Sequence, residues 1–247
     1  MEEDFGKLPV TEVVTRRIQE MIRSGEFPPD AKLPSQRILS ERLGVSRASL
    51  REALLTLETL GLIRTLPARG TFVTGERTRA PKAGQNWRHD ARYSITEVFQ
   101  TRLVIESEMC RLAAPVMTDL QLTALEAAAR TFEQAWQKGD LLAHVEADLE
   151  FHALIADACP NAMLRMFYRS IHDVLTESQR VPIPNTEVSR MEASISEHHA
   201  ILAALRARDG EKAALTMRTH ISNTASIAGA HLLPEGEADG AQVLRTD

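Results

Sequence analysis

The chain has 247 residues, of which 43 % are hydrophobic, 26 % charged and only 4 % aromatic, and its formal net charge is −5. That length and composition allow one large or two modest globular domains, and the abundance of Ala and Leu over aromatics favours helical packing. Membrane and secretory classes are not expected: no run nears the roughly 18 apolar residues that span a bilayer, and the acidic opening MEEDFGK is no signal peptide.

Proline and glycine punctuate the first third. The segment PVTEVVTRRIQEMIRSGEF predicts a helix, with Val10, Val13, Val14, Ile18, Met21 and Ile22 on one stripe and Gly25 as its stop. PPDAKLP is a turn. SQRILSERLG predicts a short helix capped by Ser35 and stopped by Gly44. SRASLREALLTLETLG predicts another, capped by Ser46 and stopped by Gly61, and it begins only two residues further on. LIRTLPARGTFVTG has β-branched residues on both sides of the turn signal Pro67 to Gly70, so it predicts a β-hairpin. Residues 8–75 therefore read as a winged helix-turn-helix, three helices plus a hairpin. Residues 76–93 are polar, basic and poor in aliphatics, and are expected to be a linker. Helical periodicity returns at about 94–117, 119–138, 141–158, 161–180, 187–208 and 210–230, an all-α bundle of six to seven helices. The tail, 231–247, loses it and is expected to be disordered. The fold class is mainly α. Cys110 and Cys159 fall in apolar helical surroundings with no metal-knuckle or redox spacing, so a cytoplasmic protein with reduced thiols is expected.

Charge divides along the same line. Residues 1–79 hold 13 Lys and Arg against 11 Asp and Glu, a net +2, so the other 168 residues carry −7; within 32–79 the balance is +5. A basic module attached to an acidic one suits nucleic acid. In a winged helix-turn-helix the second helix of the tight pair fits the major groove, and its first turn meets base edges. Here that turn offers Ser46, Arg47, Ser49 and Arg51, while Leu50, Ala53, Leu54, Leu57 and Leu60 face the core. Arginine can pair bidentately with guanine. Arg37 is placed to reach a phosphate or a nearby base, and Arg69, in the wing, the backbone or minor groove. A surface helix with ordinary solvated charges is the plainer alternative. The tight helix pair, the Ser/Arg first turn and the glycine-tipped hairpin agree against it.

The stretch LPSQRILSERLGVSRASLREALLTLETLGLI followed by RGTFV resembles the DNA-binding domain of the GntR family of bacterial transcriptional regulators, over residues 10–74. The resemblance implies operator contacts for Arg37, Ser46, Arg47, Ser49 and Arg51, and a wing tip shaped by Gly70. One departure is LPARG, with Pro67 and Ala68 where many members carry polar or basic residues.

In the acidic module, EADLEFHALIADAC puts Val145, Asp148, His152, Ile155 and Cys159 on one helix face. Aspartate is seldom buried unless it is paired or ligates a metal. Asp148 and His152, one turn apart, can share one ion. Met191, Ile195, His198, Leu202 and Leu205 form a second stripe, with His199 on the neighbouring face; Ala213, Met217, His220 and Thr224 form a third. Three helices thus turn Asp148, His152, His198 and His220 inward. Three imidazoles and a carboxylate suit Zn²⁺, Ni²⁺ or a similar ion and offer too little oxygen for Ca²⁺. An internal polar network without metal uses the same residues, and spacing alone leaves both open. His89, His144, His172, His199 and His231 read as surface or linker residues.

The arrangement DLEFH, EHHAI and MRTHI within 94–230 resembles the FCD effector domain of the FadR subfamily. The resemblance implies a divalent metal on Asp148, His152, His198 and His220, and an arginine, here Arg102, that pairs with the carboxylate of the effector. Val98, Arg102, Ile105 and Met109 share a face, so Arg102 would otherwise be a buried unpaired cation.

The expected function is a ligand-responsive regulator, a homodimer on a palindromic double-stranded operator, with a small organic acid as effector. Repression relieved by ligand is the commoner arrangement in the resembling family. An enzyme is not expected, because a metallohydrolase needs a further acid or base and Glu106 is the sole candidate near Arg102. The alternative is a constitutive DNA-binding dimer whose metal or polar network is structural.

Overall fold

The computed structural model describes residues 9–75, 87, 89 and 91–232. The chain opens with α1 (Val10–Arg23), α2 (Gln36–Leu43), α3 (Arg47–Thr59), β1 (Ile63–Leu66) and β2 (Gly70–Val73). Ser35 and Ser46 cap α2 and α3 by accepting from the backbone N–H groups of Ile38 and Ser49, and Gly44 ends α2 at φ +69°. The strands pair antiparallel, Ile63 opposite Val73 and Leu66 opposite Gly70, which leaves a tip of Pro67, Ala68 and Arg69. Val14 and Ile18 of α1, Leu39 of α2, Leu50 and Leu57 of α3 and Val73 of β2 share one core. The α1 stripe starts a turn later than its apolar pattern, since Val10 is 55 % exposed at the helix start.

Among the described residues seven helices follow: α4 (Ile95–Ala113), α5 (Asp119–Gln137), α6 (Leu141–Ala158), α7 (Ala162–Ser170), α8 (His172–Arg180), α9 (Val188–Arg206) and α10 (Gly210–Ile227). Capping boxes, Ser94 with Glu97 and Thr118 with Gln121, start α4 and α5. In the bundle α4 lies along α10, α5 along α6, and α9 against α10 and α5. The single helix expected over 161–180 is two, because Ile171 leaves helical geometry at φ −110° and ψ 11°. Buried Tyr168 and Leu175 stand seven residues apart, so an apolar period runs undisturbed through the break.

The two units touch along α1 and the α3–β1 turn. Gln19 donates from Nε2 to Asp140 Oδ1 at 2.7 Å and accepts the Leu142 N–H at 3.0 Å, so it helps cap α6. Arg16 pairs with Glu146 on the same helix. Leu60, expected in the core of the first unit, instead packs on Leu142 and Val145 of α6, with Leu62 and Ile183 beside it. Ile183 belongs to a 3-10 turn, Ile183–Asn185, between α8 and α9. In the stretch expected to be a linker, Trp87 packs into the bundle core and donates to the Tyr93 carbonyl at 2.6 Å. Residues 76–86, 88 and 90 of that stretch, and 233–247 of the tail, lie outside the described residues. No described helix is long and apolar enough to cross a membrane.

Candidate functional site

Three helices, α6, α9 and α10, bring Asp148, His152, His198 and His220 together, one ligand atom from each lying within 4.8 Å of the others. The side chains of the histidines are 1–3 % exposed and that of Asp148 15 %. His198 Nε2 meets Asp148 Oδ1 at 3.0 Å, and His152 Nε2 stands 3.8 Å from the same oxygen.

Two of the rings have their other nitrogen hydrogen-bonded elsewhere, and the third, His152, has its Nδ1 in close contact with a carboxylate oxygen without a hydrogen bond of regular geometry. His198 Nδ1 lies 2.9 Å from the Ser194 carbonyl oxygen, His220 Nδ1 2.9 Å from Glu197 Oε2, and His152 Nδ1 2.5 Å from Glu106 Oε2. Glu197 in turn accepts from Arg190 at 2.9 and 2.6 Å and from Asn223 at 2.7 Å. Glu106 accepts from Arg102 Nε at 2.8 Å. Such outer contacts fix the tautomer and aim of metal-binding imidazoles. They also correct one expectation: Arg102 is buried, yet it is not an unpaired cation. Its Nη1, however, is buried with no hydrogen-bond partner among the described residues.

Burial by itself would raise the Asp148 carboxyl, but the hydrogen bond from His198 and the surrounding imidazoles outweigh it and hold the group well below the usual carboxylate range. Glu106 is more deeply buried, and Arg102 first and His152 second bring it to about 2. Burial pushes His220 down to about 4 against its hydrogen bond with Glu197. An ionised carboxylate and a neutral imidazole are the states that give lone pairs to a cation. His152 Nε2 is itself a buried atom without a hydrogen-bond partner among the described residues. The four residues therefore fit a divalent transition metal, in donor type as in arrangement.

A cavity of about 40 Å³ adjoins the cluster, with Arg102, His144, Asp148, Gln179, Ile183 and His220 among its walls. His144 was expected at the surface, but it is fully buried and stacks on Phe132 at 3.9 Å between ring centroids. It precedes Asp148 by one turn, a spacing that signals a shared face. His172 and His199 are exposed, as expected. Glu106 also had a signal, four residues from Arg102 on one helix. It serves as the counter-charge of Arg102 rather than as a free acid beside a metal. Glu197 had none, because its contact with His220 crosses from α9 to α10.

At the other end of the chain, Arg47 and Arg51 project exposed from the start of α3 and form no ion pair among the described residues. Arg37 is exposed and paired with Glu41 at 3.1 Å. The Ser46 hydroxyl is committed locally, accepting the Ser49 N–H at 3.0 Å and lying 2.9 Å from Ser49 Oγ. Arg69 is exposed at the wing tip. Gly70 holds φ +108°, and a Cβ there would stand 2.7 Å from Lys32 Cε. Lys32 thus brings a basic group to the wing that linear order does not show.

Residues 10–73 match the gntR family of bacterial regulatory proteins, and residues 97–223 match the FCD domain. The HTH-type transcriptional repressor NanR of Salmonella newport is 28 % identical over 234 residues, 90 % of this chain and 86 % of that one. A GntR transcriptional regulator from Rhodococcus sp. RHA1 superposes with a TM-score of 0.53 at 24 % identity, over 90 % of this chain and 99 % of that one. McbR/YncC of E. coli superposes with a TM-score of 0.50 at 21 % identity, over 90 % and 98 %. These two solved structures share the fold. The chain belongs to the GntR family of bacterial transcriptional regulators, in the FCD-containing FadR branch, and is a regulator rather than an enzyme.

Proposed function

We propose that the chain is a ligand-responsive repressor, acting in the cytoplasm as a homodimer on a palindromic operator, whose bundle holds a divalent metal and a small carboxylate. One observation carries this reading. Arg102, Asp148 and His220 wall the same cavity, and Arg102 Nη1 is a buried donor without a partner among the described residues. A carboxylate would satisfy that guanidinium atom and a metal held by Asp148, His152, His198 and His220 together. Zn²⁺ or Ni²⁺ suits the donor set, and the bound ion would supply an open coordination site for a carboxylate oxygen. NanR, similar over most of the chain, is named a repressor, which supports the direction of control.

We assign 8–75 as the DNA-binding domain, 76–93 as the linker and 94–230 as the effector and dimerisation domain. Arg47 and Arg51 would read bases, Arg37 and Arg69 the backbone or grooves, and Ser49 a phosphate, while Ser46 shapes the helix start and Gly70 the wing. An effector changes operator affinity only if it favours one arrangement of the two units. Val145 and Ile183 belong both to the cavity wall and to the cluster around Leu60, so a change in the cavity has a short path to α3.

The test is a thermal-shift panel of small carboxylic acids with and without a strong chelator. Support is an acid that raises the midpoint by binding the native state, with the shift abolished by chelation. A second reading, a constitutive dimer with a structural metal, is favoured by the small size of the cavity, about 40 Å³. No shift with any acid would bring that reading forward.

A further inference from the structure

We infer that the acid sensed in this cavity carries a hydrogen-bond donor besides its carboxylate, a hydroxyl above all, received by His144 Nε2 with Gln179 Oε1 as a second acceptor. The inference rests on the carboxylate-sensing reading and narrows it. His144 Nδ1 lies 2.9 Å from the Phe132 carbonyl oxygen. A carbonyl only accepts, so the proton is on Nδ1 and Nε2 presents a bare lone pair. Burial favours that neutral ring, pushing its pKa below the ordinary histidine value. The ring is pinned by its stack on Phe132 and by Trp136, whose centroid is 5.6 Å away. Turning it over would forfeit the Phe132 bond.

His144 Nε2 is nevertheless buried with no hydrogen-bond partner among the described residues, and Gln179 Oε1 is in the same position. Both residues wall the cavity, and neither belongs to the four-residue metal cluster. Besides the unpartnered donor of Arg102, the residues walling the cavity thus carry two unpartnered acceptors. An unsubstituted acid leaves these acceptors unsatisfied, and a dicarboxylate sets further oxygen lone pairs against them. A hydroxyl donates to them. Sites that hydrogen-bond a substrate hydroxyl reject the analogue lacking it far more strongly than apolar pockets sort by size.

The test titrates acid pairs that differ by one hydroxyl into the full-length zinc-loaded protein by calorimetry: 3-hydroxybutanoate against butanoate, and lactate against propanoate. Wild type is compared with His144→Phe, which keeps the ring stack, and with Gln179→Leu. Each hydroxy acid is expected to bind wild type about tenfold tighter or more than its partner. The ratio should fall towards one in His144→Phe, with bound zinc unchanged. Gln179→Leu should narrow it too, and carries the test if the first variant does not fold. A preference that survives both substitutions comes from chelation by the metal and overturns the inference. Loss of zinc in His144→Phe overturns it as well, because the ring would then be a ligand. Acids that bind without preference overturn it and leave carboxylate sensing standing; no acid binding at all removes both.

Discussion

The carboxylate of Glu106 stands 2.5 Å from His152 Nδ1 while accepting from Arg102 Nε at 2.8 Å, so one buried acid links a cluster imidazole to the cavity guanidinium. Glu106→Gln keeps the shape and removes the charge. Metal affinity is expected to fall about 10–100-fold, as for other outer-shell partners of metal-bound histidines. Stability should fall by about 3–5 kcal/mol as well, since the Arg102 charge stays buried without its partner. Competition against a chromophoric chelator measures the first effect and denaturant unfolding the second. An unchanged metal affinity would show that Glu106 serves Arg102 alone.

Neighbouring histidines give a sharper comparison. The His198 side chain is 1 % exposed and bonded to Asp148, whereas that of His199 is 48 % exposed and 3.5 Å from Glu133. His198→Ala should abolish stoichiometric metal, and His199→Ala should leave it unchanged. Metal content after dialysis settles the matter, and the reverse ranking would mean that the α9 face is assigned to the wrong register.

Local chemistry made the first unit legible in the sequence. Ser35, Ser46, Gly44 and Gly61 act within four residues of themselves, so caps and stops fix α2 and α3 without knowledge of the rest. The four cluster residues were legible because each lies on the apolar stripe of its own helix. Periodicity says that a side chain is buried and not what it is buried against. Leu60 continues the Leu57 face, yet it leaves that core for Leu142 and Val145. Glu197 reaches His220 and Glu106 reaches His152 between helices, where spacing along the chain carries no information. The break at Ile171 was hidden for a related reason: neither proline nor glycine marks it.

Arg47 is exposed at the head of α3 and makes no ion pair among the described residues, so removing its side chain breaks no described contact. Arg47→Ala should therefore leave the circular dichroism spectrum and the melting temperature unchanged. A bidentate arginine–guanine contact is worth about 1–3 kcal/mol of discrimination, so the preference for operator over scrambled DNA should drop roughly 5–150-fold. Fluorescence anisotropy on both duplexes reads this ratio. If discrimination persists, the first turn of α3 is not the base-reading element.

Two glycines separate backbone strain from contact between the units. Gly44 and Gly61 both hold left-handed φ, +69° and +72°, but a Cβ at Gly44 would meet open space and one at Gly61 would stand 2.7 Å from Pro184 Cβ. Alanine at either position costs about 1–2 kcal/mol for the left-handed backbone. At Gly61 the new methyl must also displace the Ile183–Asn185 turn, which closes the cavity on one side and meets Leu60 on the other. Gly44→Ala should thus lower stability by about the backbone amount alone. Gly61→Ala should lower it further and speed amide exchange over 181–187. Equal losses in the two variants, with exchange at 181–187 unaltered, would mean that the turn yields without resistance. Val145 and Ile183 would then have no mechanical hold on α3, and control of DNA binding would have to run through α1, where Gln19 caps the helix that carries Asp148 and His152.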